Sequence, residues 1–386
     1  MSVVATVTAC SLVLSLDPPA DDAPENADSS DAELDTSTLP DAGPGDAADA
    51  SDAADGSCVD ADLSSNALHC GECDHACETT CTNGRCTPVV VASALAGKDI
   101  HCIAAVGNAV LFGAGGTNSS TYTDHDILRV GTTAPIATSL PCGDVLGRDN
   151  ELLVLSGTKV ARLRPDAGAV GVVATEGFES FRSVGTAGAE IDVVTFTDVK
   201  RFFPDGGVST CANVTGTPSA RSMATALATH SSGTYWGVAG EVRRSPFGAE
   251  PCESNSSLIG NLGETGVSAV TVGNAVYWLT PSAVHRVETG AASLVFTVPS
   301  GKGRAIVATS SHLYVAEGLI GEQGKIWRVD ATGTPFLLAT DVSIVGTRAD
   351  KYLEYFWDHT ALALDAKYIY FVIGPPGLRQ VARVPK

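Results

Sequence analysis

One repeated unit constrains the fold of this 386-residue chain more than any other feature. Its clearest copy, residues 272–287, has a Gly-Asn turn, a short apolar strand ending in Tyr277-Trp278, a second turn and a strand ending in Arg286-Val287. Residues 106–110 repeat residues 272–276 without change. Short apolar strands separated by tight turns predict an all-β fold.

Seven copies of this unit follow one another along the chain. The aromatic pair, or an apolar substitute, stands at Leu111-Phe112, Leu153-Val154, Val193-Val194, Tyr235-Trp236, Tyr277-Trp278, Tyr314-Val315 and Tyr370-Phe371. An arginine follows each pair, at Arg129, Arg162, Arg201, Arg244, Arg286, Arg328 and Arg383. With the third copy counted at Val194, the steps are 42, 41, 41, 42, 37 and 56 residues. This period is typical of β-propeller blades, so we expect seven four-stranded blades.

The repeated residues themselves are predicted to be structural. The arginine stem is expected to lie along the blade while its head pairs with a carbonyl or a carboxylate. The Tyr-Trp pairs are expected to fill the space between blades.

The ends of the repeat region predict how the ring closes. The sixth unit has a fourth strand at residues 334–340, whereas the seventh ends at Lys386 without one. Residues 87–93 carry the same pattern, Thr-Pro followed by apolar residues. We therefore expect a strand at residues 88–93 to pair with the last blade, because closure removes exposed sheet edges.

The repeat resembles that of extracellular propellers with Tyr-Trp-containing repeats, the YWTD/NHL-like group. Tyr277-Trp278-Leu279-Thr280 matches the Tyr-Trp-Thr-Asp repeat except for the missing Asp, and Tyr235-Trp236-Gly237-Val238 departs further. The resemblance implies a propeller that binds a ligand at one face, but it does not indicate which ligand is bound.

The acidity of the chain is concentrated near its start. The net charge is −20, and residues 1–86 hold 18 Asp and Glu residues but a single basic residue, Arg85. The remaining 26 acidic and 23 basic residues nearly balance in residues 87–386. This distribution excludes a basic surface for nucleic acid.

The first 57 residues predict export and a tether. Residues 1–16 are uncharged and apolar, which suits a secretion signal and is too short to span a bilayer. Val7-Thr8-Ala9-Cys10 resembles the bacterial lipobox, and lipidation of Cys10 and a Cys inside an ordinary signal remain two open interpretations. Residues 17–57, rich in Asp, Ala, Pro and Ser, are expected to be a disordered linker.

A cysteine-rich module is predicted at residues 58–86. Its six cysteines are Cys58, Cys70, Cys73, Cys77, Cys81 and Cys86. Three disulfides are expected to hold so short a segment, with 15 pairings open. A zinc knuckle that includes His69 and His75 is the alternative, which the exported location disfavours. The segment resembles the small cysteine-rich modules between an acidic tether and a β-domain in bacterial surface lipoproteins.

Four further cysteines lie at blade spacing within the propeller region, residues 87–386. Cys102 and Cys142 occupy equivalent places in neighbouring units, as do Cys211 and Cys252. Two disulfides between adjacent blades are expected, with free buried thiols as the alternative.

Polar residues before the innermost strands are the candidate ligand site. They are His101, Asp144, Arg182, Arg221, Arg304, Asp358 and His359. The three arginines suit an anionic or sugar-acid ligand, although such charges also serve simply to solvate a channel mouth. Residues 343–360 form an insertion rich in aromatics, including Trp357, which either borders the site or plugs a blade. Asp124-His125-Asp126 is interpreted as a loop turn rather than a metal cluster.

No stretch carries a specific catalytic motif, and the sequence predicts no cofactor and no metal. The principal hypothesis is an exported, surface-tethered propeller that binds a protein, peptide or glycan through one face. A polysaccharide lyase or hydrolase with its site at the channel mouth is the first alternative, and a structural envelope protein is the second. Contact with a membrane is expected only through a lipid anchor.

Overall fold

A computed structural model describes most of the chain after residue 61. The described residues are 62–71, 75–116, 125–140, 145–148, 151–156, 159–166, 168–175, 183–187, 190–195, 198–204, 206–213, 224–230, 232–238, 240–247, 256–264, 266–272, 275–288, 291–319, 322–344 and 362–386. They all belong to one compact unit, Ser57–Lys386. The predicted signal segment, linker, Cys10 and Cys58 lie outside them, so those predictions stay open.

The described residues form antiparallel strands and turns and contain no helix. Within them, therefore, no helix is long and apolar enough to cross a membrane. The all-β prediction is confirmed. Glycine turns with positive φ, such as Gly107 at φ 56°, explain why the strands are short and joined as hairpins.

Five sheets are separate meanders of four consecutive strands. The first sheet contains β4 (Lys98–Val106), β5 (Ala109–Gly116), β6 (His125–Arg129) and β7 (Pro135–Leu140). The second contains β8 (Val145–Arg148), β9 (Glu151–Ser156), β10 (Lys159–Arg164) and β11 (Gly168–Thr175). The third contains β12 (Ser183–Ala187), β13 (Glu190–Val194), β14 (Asp198–Phe202) and β15 (Val208–Asn213). The fourth contains β16 (Ala224–His230), β17 (Gly233–Val238), β18 (Glu241–Ser245) and β19 (Ser257–Asn261). The fifth contains β20 (Ser268–Val272), β21 (Ala275–Leu279), β22 (Ala283–Glu288) and β23 (Ala291–Thr297).

The last strands of the chain form a larger sheet of two halves. The sixth sheet is the half that contains β24 (Gly303–Ala308), β25 (His312–Glu317), β26 (Gln323–Asp330) and β27 (Pro335–Ser343). The seventh sheet is the half that contains β28 (Ala363–Leu364), β29 (Tyr368–Ile373), β30 (Gln380–Pro385) and β3 (Val89–Ser93). The pairing of Val342 with Ile373 joins the two halves.

The fourth strand of the seventh sheet comes from the start of the folded region. β3 pairs antiparallel with β30, with Val89 opposite Arg383 and Ser93 opposite Gln380. The Gln380 side-chain amide also donates a 3.1 Å hydrogen bond to Ser93 Oγ. The predicted pairing of residues 88–93 with the last unit is therefore confirmed, and the strand begins one residue later than expected.

The first strands of successive sheets lie against one another. β4 contacts β8, β8 contacts β12, and the series continues through β16, β20, β24 and β28. β28 in turn contacts β4, so the last sheet lies next to the first.

The repeated arginine faces the repeated pair across two neighbouring strands. Tyr277 lies opposite Arg286, and the same register holds for every sheet except the third. In the third sheet Arg201 lies opposite Asp192. The third copy was therefore aligned two residues too late, at Val194 instead of Asp192. The cause is that an aspartate occupies the position that a tyrosine or leucine side chain takes in the other copies.

Asp192 and Arg201 form a buried ion pair within the third sheet, on the side that faces the fourth sheet. Both side chains are fully buried, and Arg201 Nε donates a 2.9 Å hydrogen bond to Asp192 Oδ1. Arg201 also donates to the Pro246 carbonyl of the fourth sheet at 2.9 Å. The Thr234 hydroxyl donates to Asp192 Oδ2, so the carboxylate has partners on both of its oxygens. Such bonding offsets the cost of burying two charges.

Five of the remaining repeated arginines pair with a carboxylate or a carbonyl, as the sequence predicted, whereas Arg328 lies over an aromatic ring. The pairs are Arg129 with Asp166, Arg162 with Glu151, Arg244 with the Ser232 carbonyl, Arg286 with Glu288, Arg328 with the Phe336 ring and Arg383 with Glu78. Trp236 and Trp278 are fully buried and pack in clusters between neighbouring sheets, which confirms their role as filling between repeats.

The described part of the cysteine-rich module is a disulfide-linked hairpin that packs on the sixth and seventh sheets. β1 (Cys81–Thr82) and β2 (Arg85–Cys86) are joined by Asn83-Gly84, both at positive φ, as a tight hairpin turn requires. Disulfides link Cys70 to Cys81 and Cys77 to Cys86. Cys73 lies outside the described residues. These disulfides indicate an oxidising, extracytoplasmic environment.

Phe336 of β27 packs against the cysteine-rich module. Its ring lies 5.6 Å from the His75 ring, centroid to centroid, and it also contacts Gly71 closely enough that no Cβ would fit there. Glu78 accepts hydrogen bonds from Arg383 at 2.7 Å and from Tyr368 at 2.5 Å. These bonds outweigh the effect of burial and lower the pKa of Glu78. The module thus contacts both halves of the larger sheet.

The buried ion pair of the third sheet yields a first prediction. Asp192→Asn removes the fully buried carboxylate that faces Arg201 and leaves that arginine the partly exposed Glu190, 3.3 Å from its Nε. We therefore expect the free energy of unfolding to fall by about 3 kcal/mol. Urea unfolding of the purified protein measures this. The control is Glu288→Gln, which breaks the exposed pair with Arg286 and should cost less than about 1 kcal/mol. Equal losses in the two variants would contradict the importance of the buried pair.

Two glycines with the same backbone conformation test the docking of the hairpin. Gly71 and Gly97 both have φ of +76°, but a Cβ on Gly71 meets Phe336 and the Gly84 carbonyl, whereas one on Gly97 meets nothing within 4 Å. Alanine at either site costs about 1–2 kcal/mol of backbone strain. We expect Gly71→Ala to be the more destabilising in urea unfolding and to make the hairpin more sensitive to limited proteolysis. Identical behaviour of the two variants would mean that the Phe336 contact does not hold the hairpin.

Candidate functional site

A cavity of about 280 Å³ lies among the first strands of the sheets. Strands β4, β8, β16, β20, β24 and β28, or residues next to them, contribute to its wall. Among the described residues Ser268 is the one lining residue with a polar side chain, and none is charged. The lining residues are Ile103, Ala104, Ala105, Val145, Leu146, Gly147, Leu227, Ser268, Ala269, Val270, Ile306, Val307, Ala308, Leu362, Ala363 and Leu364.

The backbone supplies the polar groups of this cavity. β4, β8, β16, β20 and β24 each stand at the end of a sheet order, and β28 pairs only with β29. Alternate N–H and C=O groups of such an edge strand have no partner within the sheet. The cavity therefore combines small apolar side chains with uncharged hydrogen-bonding groups, which suits a neutral ligand containing amides.

His101 lies two residues before the cavity wall on β4. Its half-buried ring meets the buried His125 ring edge to face, with centroids 4.9 Å apart at 84°. Asp99 forms a 3.1 Å ion pair with Arg379, and both side chains are buried. Arg379 also donates to the Ile100 carbonyl at 3.2 Å. This cluster connects β4 to the segment before β30.

Burial dominates the electrostatics of His101. It lowers the pKa of the imidazole below its ordinary value of 6.5, while the nearby Asp99 carboxylate partly opposes the shift and Arg379 adds to it. The ring also hydrogen-bonds the Gly116 backbone. His101 is therefore held neutral in a polar cluster that does not line the cavity.

Arg304 is buried at the start of β24, where its Nε donates a 3.0 Å hydrogen bond to the Gly318 carbonyl. The structure brings neither His101 nor Arg304 into the wall of the cavity. The other predicted ligand-binding residues, Asp144, Arg182, Arg221, Trp357, Asp358 and His359, lie outside the described residues. A role of this whole set in ligand binding stays a prediction.

The segment around His125 is a correction to the sequence interpretation. His125 and Asp126 begin strand β6 rather than forming a loop turn, and Asp126 Oδ2 accepts a 2.6 Å hydrogen bond from Lys98 Nζ of β4. The missed partner of His101 is therefore His125. The sequence offered one signal for this strand. His125 and Ile127 are two residues apart, so they share one face of a strand that begins at His125.

Two cysteines of the sheets are also oxidised. Cys102 and Cys211 are disulfide-bonded, which excludes free thiols at these two positions. Cys142 and Cys252 lie outside the described residues. The pairings Cys102 with Cys142 and Cys211 with Cys252 therefore stay predictions.

Comparisons with known proteins assign no family. No family model matches the chain, and no curated protein matches it. Among solved structures, the computationally designed Ika8 protein superposes with a TM-score of 0.48 at 13% identity, covering 73% of this chain and 83% of its own. PorZ, a bacterial surface component of the type-IX secretion system of Porphyromonas gingivalis, gives 0.46 at 10% identity, covering 75% and 39%. The AfRom2 CNH domain gives 0.48 at 9% identity, covering 78% and 99%.

The neutral state of His101 predicts a pH dependence of stability. Because its folded-state pKa lies below 6.5, the unfolded chain takes up the proton first as the pH falls. Stability is therefore complete above about pH 6.5 and decreases below it. We expect His101→Gln to lose less stability than the wild type between pH 7.5 and pH 5, measured by urea unfolding. An unchanged pH dependence in the variant would show that His101 does not contribute.

Proposed function

We propose that the protein is an exported, surface-tethered β-propeller that binds an extended, uncharged peptide segment of a protein partner at its central cavity. The single observation that carries this proposal is the cavity itself, which the first strands of six sheets surround with an uncharged wall. The sequence left a protein, peptide or glycan ligand open. The uncharged wall favours a peptide among these three classes.

Closure into seven four-stranded blades is part of the proposal. Three observations support it: six meanders of four strands, a seventh sheet completed by β3, and the contact of β28 with β4. A closed ring leaves the first strands with unpaired edges that face a common axis. That arrangement explains why one cavity touches so many sheets.

A peptide fits the cavity better than an anionic sugar. Apolar side chains from a peptide find small aliphatic partners such as Ala105 and Ala308, while its amides find the edge-strand backbone. A sugar acid needs cationic side chains, and the one candidate arginine that is described, Arg304, donates to the Gly318 carbonyl instead.

Export and tethering complete the proposal. The disulfides of the cysteine-rich module, together with bonded Cys102 and Cys211, support an oxidising location. With a lipid on Cys10 the protein is an outer-membrane lipoprotein, and the acidic segment before the module would hold the propeller away from the membrane. With an ordinary signal the protein is extracellular or periplasmic. Fractionation with labelled fatty acid tests acylation of Cys10.

The experiment is selection of peptides from a random display library on the full-length oxidised protein. Enlarging the wall with Ala105→Leu, and separately with Ala308→Leu, should weaken capture of the selected peptides by about tenfold or more, because each added side chain occupies ligand space. Ala291→Leu is the control, since Ala291 is exposed on the outermost strand β23. Unchanged urea midpoints establish that the variants fold.

Three results would contradict the proposal. No enriched peptide, or equal binding by both wall variants and the control, would exclude the cavity as the site. Enrichment of charged oligosaccharides in a parallel glycan screen would favour the glycan alternative, and their cleavage would favour the lyase or hydrolase.

A further inference from the structure

A groove of about 520 Å³ lies between the cysteine-rich module and β27, the fourth strand of the sixth sheet. It shares no lining residue with the central cavity and is therefore a separate site. Apolar and polar side chains both line it. The lining residues are Leu63, Ser64, Gly71, Asn83, Gly84 and Arg85 of the module and Phe336 and Leu337 of β27.

Arg85 supplies the charge of this groove. It is half-buried, and it is the one charged residue among the described lining residues. Within the part of the chain that the structure describes, its guanidinium has neither an ion pair nor a hydrogen bond. The nearby Asp62 carboxylate lies outside the lining and accepts hydrogen bonds from the Ser64 and Ser65 hydroxyls instead. The groove thus presents the planar N–H fork that fits a carboxylate.

The apolar part of the groove depends on the docking of the module. Leu337 of the sixth sheet and Leu294 of the fifth occupy equivalent places, since each lies opposite the residue that precedes the repeated arginine. Leu294 is 61% exposed, whereas Leu337 is half-buried beside the module. The module therefore converts an exposed leucine position into the wall of a groove.

The backbone of β27 adds hydrogen-bonding groups. At Phe336 and Leu337 this strand pairs with β26 only, and on its other side it pairs with β29 at Val342 alone. Alternate N–H and C=O groups along such an edge have no partner within the sheet. These groups suit the amides of an extended peptide, which commonly binds at open sheet edges.

We propose that this groove binds an extended acidic segment of a protein partner, with one carboxylate paired to Arg85 and a neighbouring apolar side chain packed against Leu63 and Leu337. Charge complementarity selects an acidic segment, because the described lining residues include a cation and no anion. This site does not rest on the proposed function, since the central cavity has an uncharged wall and takes an uncharged segment.

The test uses the full-length oxidised protein and a fluorescein-labelled, amidated hexapeptide, Ser-Leu-Asp-Leu-Ser-Gly. We expect saturable binding in fluorescence anisotropy. Lysine in place of the aspartate, or serine in place of both leucines, should weaken binding by about tenfold or more, because the ion pair or the apolar contact is lost. Added salt should also weaken binding of the aspartate peptide, since it screens the charge pair.

Two matched pairs of protein variants locate the site. Arg85→Gln should weaken binding by about tenfold or more, whereas Arg286→Gln, at an exposed arginine of β22 outside the groove, should not. Leu337→Ser should likewise weaken binding, whereas Leu294→Ser, at the equivalent place in the fifth sheet, should not. Urea midpoints report folding, and the arginine pair alone decides the question if Leu337→Ser lowers the midpoint.

Several outcomes would overturn the proposal. They are no saturable binding, equal binding of the lysine peptide, or equal loss in both arginine variants. A dimer in sedimentation that Arg85→Gln abolishes would assign the groove to a second copy of the chain, and binding of dodecanoate without the peptide would assign it to a fatty acid. Ala105→Leu changes only the central cavity and should leave this peptide bound, so failure of the groove leaves the proposed function unaffected.

Discussion

The pairing of β3 with β30 is the interaction on which the rest of the structure depends. It supplies the fourth strand of the last sheet from residues that precede the first sheet, so the two ends of the repeat region hold each other. Without β3, the backbone N–H and C=O groups of β30 on that side would form an open sheet edge. The Asp99–Arg379 ion pair and the Glu78–Arg383 contact reinforce the same junction from its two sides.

The seven copies show how one structural position tolerates different chemistry. In six sheets the residue opposite the arginine is a tyrosine or a leucine, and the guanidinium stays at the surface or lies over a ring. In the third sheet Asp192 takes that position, and Arg201 turns into the interior. Burial of the charged pair is supported by Thr234 and the Pro246 carbonyl of the neighbouring sheet, so this copy gains a polar connection between sheets where others have apolar packing.

Much of this fold is predictable from the sequence because strand periodicity and register are local properties. The Thr-Pro pattern at residues 87–93 sufficed to place β3, and the arginines marked the third strand of each sheet. The position of Asp192 was not predictable, because the absence of an aromatic pair removes the mark by which copies are aligned. The contact of His101 with His125 depends on a cross-strand offset, and the docking of His75 on Phe336 joins residues that are far apart in sequence. The uncharged wall of the cavity depends on which side of each first strand remains unpaired, which composition alone does not specify.

The order of the strands has a consequence for how the protein reaches its folded state. The hairpin disulfides close short loops, with sequence separations of 11 and 9 residues, so they can form as soon as this segment emerges. β3 follows directly, but its partner β30 lies at the opposite end of the chain, and such distant pairings form slowly. A chain that emerges from its N-terminal side therefore carries an oxidised hairpin and an unpaired β3 until β30 is available. During that interval it presents an aggregation-prone edge, so a truncation that removes β30 leaves β3 without its partner.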